Sequence, residues 1–270
     1  MNVKSRGYLA SGDTKPQVTT DNLCRLHVQA IYFDTVANAT TPKQRHYNWP
    51  DTPINKRQES NHPDFKIVFT DWLPQVATLF AASRNKKIPP TNPLSKLAKF
   101  SSPWPIVNDP YESQRHPSEK VQHESKLFDS LLLEIAKDSS LDIHNMTEEV
   151  SQAYDIILKR YEYFAFPQER VFFMTEQGFF GSAPHDCWCE YPIRTTGIDP
   201  SEAVRRGDII VVPLGSSAPW VLRKTDVEGQ YTLVVECDVR GIMYGELMEL
   251  VEAGDGGRDE SLRVETFVLV

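Results

Sequence analysis

Apolar and polar residues alternate from Leu23 towards Val36. Leu26, Val28, Ala30 and Tyr32 are apolar, and Arg25, His27 and Gln29 between them are polar. Successive side chains on a strand point to opposite faces, so this alternation predicts a half-buried β-strand. Ile31 and Phe33 break the alternation and predict a far end buried on both faces. A helical period follows. Trp72, Val76, Leu79 and Phe80 share one face of a helix expected within 64–83, with Pro74 limiting where it begins. Over 118–137, Leu127, Leu131 and Ile135 form a stripe with Phe128 and Leu132 beside it, opposite Glu119, Lys120, Glu124 and Lys126. That is an amphipathic helix. Another is expected from Thr147 to Phe164, with Thr147 as N-cap, Glu148 and Glu149 at the positive end of its dipole, and Val150, Tyr154, Ile157 and Tyr161 buried.

After Pro167 the pattern is one of short strands. Arg170–Thr175 reads as a strand, 176–178 as a turn, and Phe179 as the start of a returning strand. Ile209–Leu214 is an unbroken apolar run, expected to have both faces covered, one by a barrel interior and one by the helices. Trp220–Arg223 and Tyr231–Val239 are further strands, Glu246–Glu252 a short helix, and Leu262–Val270 the last strand. Eleven of the 13 glycines lie from Gly178 onward, and 12 of the 19 prolines lie between Pro42 and Pro117. Glycine at this density suits tight turns between strands, whereas the proline-rich middle suits irregular surface loops, clamped in one place by Trp104. The expected fold is α+β, a helical layer packed on a small C-terminal β-barrel-like sheet. Residues 1–21 read as a flexible arm, 22–167 as a strand with Pro-rich loops and helices, and 168–270 as the barrel-like domain.

Charge narrows the function. The 270 residues hold 29 Lys and Arg against 37 Asp and Glu, a net charge of −8 and a pI near 5.4. Bulk positive charge for phosphate contacts is missing, which argues against nucleic acid as a partner. No apolar run approaches a membrane span, and no apolar core of a secretory signal follows Met1. Four cysteines do not make a disulfide scaffold, so a cytoplasmic protein with reduced thiols is expected. No P-loop or other cofactor motif is present, and no cofactor is expected.

The tightest chemical cluster is His185-Asp186-Cys187-Trp188-Cys189. Structural zinc sites favour two or more residues between paired cysteines and need a second pair, so His185, Cys187 and Cys189 are metal candidates that lack the usual spacing. A cysteine hydrolase with Cys187 or Cys189, His185 and Asp186 would need three near-adjacent residues to converge as nucleophile, base and orienter, which sequence neighbours do poorly. The bland reading is a loop anchored by Trp188. Arg223 is expected near the barrel mouth, paired with Glu236 or Asp238, or else holding a ligand carboxylate or phosphate.

Three segments carry a resemblance. ERVFFMTEQGFFGSAP, GDIIVVPLGSSAPWVLR and YTLVVECDVRGIMYGELME, covering about 168–250, resemble the C-terminal region of fungal heterokaryon incompatibility proteins, the HET-domain family. The matching positions are Gly207-Asp208, Gly215, Pro219–Arg223, Glu236, Gly241-Ile242-Met243 and Gly245-Glu246. The stretches that mark the HET domain itself are not found, so the resemblance is to the rear half of such a protein. It implies a non-catalytic sensing or regulatory module in non-self recognition and programmed cell death, acting through a protein partner. The expected binding surfaces are the barrel rim around Arg223, Glu236 and Arg240, and the loop carrying Trp188. The alternative is a small-molecule-binding or Cys/His-dependent hydrolytic protein that uses the barrel mouth.

Overall fold

The computed structural model describes residues 10–23, 25–40, 73–100, 104, 118–137, 147–148, 152, 170–184, 203–253 and 262–270. Its strands are β1 (Val18–Thr20), β2 (Leu26–Ala39), β3 (Arg170–Thr175), β4 (Phe180–Pro184), β5 (Ile209–Pro213), β6 (Trp220–Lys224), β7 (Gln230–Glu236), β8 (Asp238–Val239) and β9 (Val264–Leu269). Its helices are α1 (Leu73–Asn85), α2 (Glu119–Lys137) and α3 (Glu246–Glu252), with a 3-10 turn at Pro93–Lys96. The fold is α+β, with a barrel-like sheet.

β2 is the spine. It pairs antiparallel with β9 over Leu26–Ile31 and with β5 over Ala30–Thr35, then passes to β3 from Val36. β5, β6, β7 and β9 complete a ring with β2, closed by a parallel step between β7 and β9. Register shifts at Tyr32/Asp34 and Val36/Asn38 let this one strand leave the ring and join a second sheet of β3, β4 and β8. An extra residue in a strand bends it and sharpens its twist, which is what a strand serving two sheets requires.

Alternation along β2 and β5 sorts the core. Val28, Ala30, Ile209, Val211, Leu222, Phe267 and Leu269 pack together in the ring, with Leu26, Tyr32, Trp220 and Tyr231 partly buried against them. Ile31, Phe33, Ile210, Val212 and Val221 face the other way, into a larger cluster with Leu247, Met248 and Leu250 of α3. The unbroken run of β5 is therefore buried on both faces, but α3 and the second sheet supply its outer cover. The helical layer lies elsewhere. α1 and α2 pack Leu73, Val76, Phe80, Phe128 and Leu131 on Phe172 of β3 and Phe180 of β4, with Trp104 between them. Trp104 meets Phe128 edge-on at 4.6 Å and Phe180 at 5.1 Å, so its side chain is anchored between the helices and β4.

Three further expectations change. Residues 10–20 are docked and not loose. Ser11 Oγ donates to the Ser216 carbonyl at 2.8 Å, Thr14 Oγ1 accepts from the Gly215 N–H at 2.9 Å, and β1 pairs with β2. Gly215 is required there, because a Cβ on it would lie 2.2 Å from Pro16 N and its φ is +78°. The run expected as one strand over 231–239 is two strands. β7 stays in the ring, while β8 crosses to β4 after Cys237, whose N–H donates to the Pro219 carbonyl. The buried face of α2 also includes Val121, Glu124 and Ser125, and Ile135 is only partly buried. Of the expected helix over 147–164, Thr147, Glu148 and Gln152 are described, Glu148 and Gln152 as helix; the rest of it and residues 64–72 fall outside the described residues.

Candidate functional site

Arg223 stands near the end of β6. The register that sets Ile209 opposite Leu222 brings the preceding Asp208 beside Arg223. Arg223 Nε donates to Asp208 Oδ1 and its Nη2 to Asp208 Oδ2, each at 2.8 Å, and Nη2 also reaches the Ala203 carbonyl at 2.7 Å. Asp208 Oδ2 accepts a further bond from the Arg205 N–H. Asp208 is 2 % exposed and the Arg223 side chain 18 %. The bonded carboxylate holds the guanidinium above its ordinary pKa. A two-point fork of this kind is stronger than a neutral hydrogen bond and fixes both planes. The expected partners lie elsewhere. Glu236 is exposed at the end of β7, opposite Trp220. Asp238 is buried and bonded to Arg170 Nη2, while Arg170 also binds Ser182 through Nε to Oγ and Nη2 to the carbonyl.

Arg240 is not at a rim. Its side chain is 6 % exposed, beneath the helical layer. Nη1 donates to Asp129 Oδ1 at 2.6 Å and Nη2 to the Phe100 carbonyl at 3.2 Å, with the guanidinium 4.9 Å from the Trp104 ring. Trp104 Nε1 donates to the same Asp129 oxygen. Asp129 thus ties α2 to the turn after β8. Burial pushes Arg240 below its ordinary pKa against the pull of Asp129. The expected cluster of Arg223, Glu236 and Arg240 is therefore not one surface, since the two arginines hold separate internal carboxylates.

Asp34, at the first bulge of β2, accepts from the N–H groups of Thr35 and Gln177 at 2.8 and 2.9 Å. Burial raises its carboxyl above the usual range, partly offset by a hydrogen bond from Thr175. Cys237 is a buried free thiol, pushed well up by desolvation and by Asp238. A thiol kept protonated is a poor nucleophile and a poor metal ligand. Trp220 Nε1 is buried without an acceptor among the described residues.

Trp188, His185, Cys187 and Cys189 lie outside the described residues. Within those residues, no three His, Cys, Asp or Glu side chains converge as a metal requires, and no helix is long and apolar enough to cross a membrane. Sequence reasoning missed Asp208, Asp129 and Asp34. Asp208 was findable, because the hairpin register of two adjacent strands sets it beside Arg223. Asp129 had no local signal. No family model, no curated protein and no solved structure matches this chain.

Proposed function

We propose that this chain is a non-catalytic recognition or regulatory module, akin to the rear half of fungal heterokaryon incompatibility proteins, that engages a partner protein in cytoplasmic non-self recognition and cell death. The observation that carries this reading is the use to which the resembling residues are put. The Asp208–Arg223 fork joins Gly207-Asp208 to Pro219–Arg223 within one hairpin. Gly241, at φ +102°, lets the turn after β8 approach the Ala98 carbonyl. Gly245, at φ +93°, opens α3, and Glu246 accepts from the Tyr244 N–H. These residues close turns and lock strands. Residues spent this way suit a scaffold that presents surfaces better than a constellation aimed at a reacting atom.

The test is co-expression of the full chain with an intact HET-domain protein in fungal hyphae, scoring dead compartments by uptake of a membrane-impermeant dye. The expected result is a changed frequency of death relative to the HET-domain protein alone. An unchanged frequency, with the chain confirmed as folded and expressed, overturns the reading.

A further inference from the structure

The 17 residues from Arg84 to Phe100 contain Arg84, Lys86, Lys87, Lys96 and Lys99 and no acidic residue, in a chain of net charge −8. The fold gathers this charge. Arg84 leaves the last turn of α1, and the chain returns through the 3-10 turn so that Lys99 Nζ donates to the Lys86 carbonyl at 2.8 Å. The turn between β3 and β4 backs both residues: a Cβ on Gly178 would lie 2.8 Å from Lys86 Cβ and from Lys99 Nζ. The Lys99 ammonium sits 5.6 Å from the Phe179 ring centre, held below its ordinary pKa by burial and then by Lys86.

Two nearby acids among the described residues are already engaged. Asp129 is 3.9 Å from Arg84 but bonded to Arg240 and Trp104. Asp34 is buried under the Gln177 N–H. Arg84 is 41 % exposed, with its guanidinium 4.8 Å from the Phe100 ring centre, and Lys86 and Lys87 are exposed. Like charges gathered at one place repel, and an anionic group set among them relieves that repulsion. The patch is short and the rest of the protein is acidic. A long polyanion or an anionic membrane would meet repulsion beyond its edges, whereas a short acidic segment would not.

We propose that the basic face of Arg84, Lys86, Lys87 and Lys99, with the Phe100 ring beside it, docks an acidic peptide segment of a partner protein. The inference goes beyond the family resemblance and does not need it.

The test uses the full chain and a fluorescein-labelled peptide of alternating Glu and Gly, followed by fluorescence anisotropy. Saturable binding is expected, weakening steeply as salt shortens the Debye length from about 30 Å to about 8 Å. Lys86→Glu with Lys87→Glu should weaken it by about tenfold or more, and Arg84→Gln by several-fold, with thermal melts unchanged. Lys120→Glu with Lys137→Glu makes the same charge change on exposed positions of α2 and should leave affinity within about twofold. Three results overturn the proposal: no saturable binding, equal loss in both double variants, or tighter binding of oligo-dT or phosphatidylserine vesicles than of the peptide. None of these bears on the death assay, so the two readings fail separately.

Discussion

Replacing Arg223 with leucine tests whether that arginine holds the fold or serves a ligand. In the folded chain the substitution strands the Asp208 carboxylate, 2 % exposed, with the Arg205 N–H as its remaining charge-stabilising donor among those described above. Removing one partner of a buried pair costs about 3–5 kcal/mol, because the other charge is left desolvated. The Arg223 side chain is 18 % exposed, so water already shares its solvation and the lower end, about 3 kcal/mol, is expected. Asp208→Asn is gentler. It leaves a guanidinium that keeps the Ala203 carbonyl and can turn to water, so about 2 kcal/mol is expected. The double variant leaves neither charge stranded and should recover about 1–2 kcal/mol relative to the sum of the singles. Urea unfolding followed by tryptophan fluorescence measures all four proteins, the wild type included. A loss below about 0.5 kcal/mol for Arg223→Leu, with additive singles, would refute the structural reading and return Arg223 to the role of ligand anchor.

Two other positions probe different physics. Gly241→Ala should lose at least about 2 kcal/mol, because φ is +102° and the new Cβ would lie 2.8 Å from the Ala98 carbonyl oxygen. Gly207→Ala shares a positive φ of +90° but has nothing within 4 Å, so thermal melts should show a smaller loss, and the opposite order would refute the packing argument. Asp34 has a folded pKa raised by burial, so its protonation stabilises the fold below the ordinary carboxyl value, and that gain fades as pH rises through the folded pKa. Wild type should therefore lose stability relative to Asp34→Asn as pH rises from about 4, the ordinary carboxyl value, in denaturant titrations, and a constant gap would exclude the effect.

Strand and helix identity were legible because each rests on a local period. The alternation of Leu26, Val28, Ala30 and Tyr32 placed β2, and the stripe through Leu127 and Leu131 placed α2. The α+β class and the barrel-like closure followed from short strands at turn-rich spacing. Even the burial of β5 on both faces could be read from four consecutive apolar residues. What local pattern could not say was which element covers which face. β2 serves two sheets because bulges at Asp34 and near Val36 rotate its edge, and a bulge leaves no mark in the hydrophobic period. The break at Cys237 was hidden for the same reason, as the apolar content continues through it while the backbone changes partner.

Charge pairing marks the same boundary. Asp208 immediately precedes β5 and Arg223 lies on β6 of the same hairpin, so their pairing follows from a register that short-range pattern nearly specifies. Arg240 and Asp129 are 111 positions apart, and Arg170 and Asp238 are 68 apart. The first pairing depends on where α2 lands against the turn after β8, and the second on the sheet order that sets β4 between β3 and β8. The chain's own order determined which segments become strands and helices, because hydrogen bonding and side-chain direction repeat over a few residues. The tertiary structure decided which charges are spent inside and which, such as those of Arg84, Lys86 and Lys87, stay at the surface, because that depends on burial and distance between segments with no local relation.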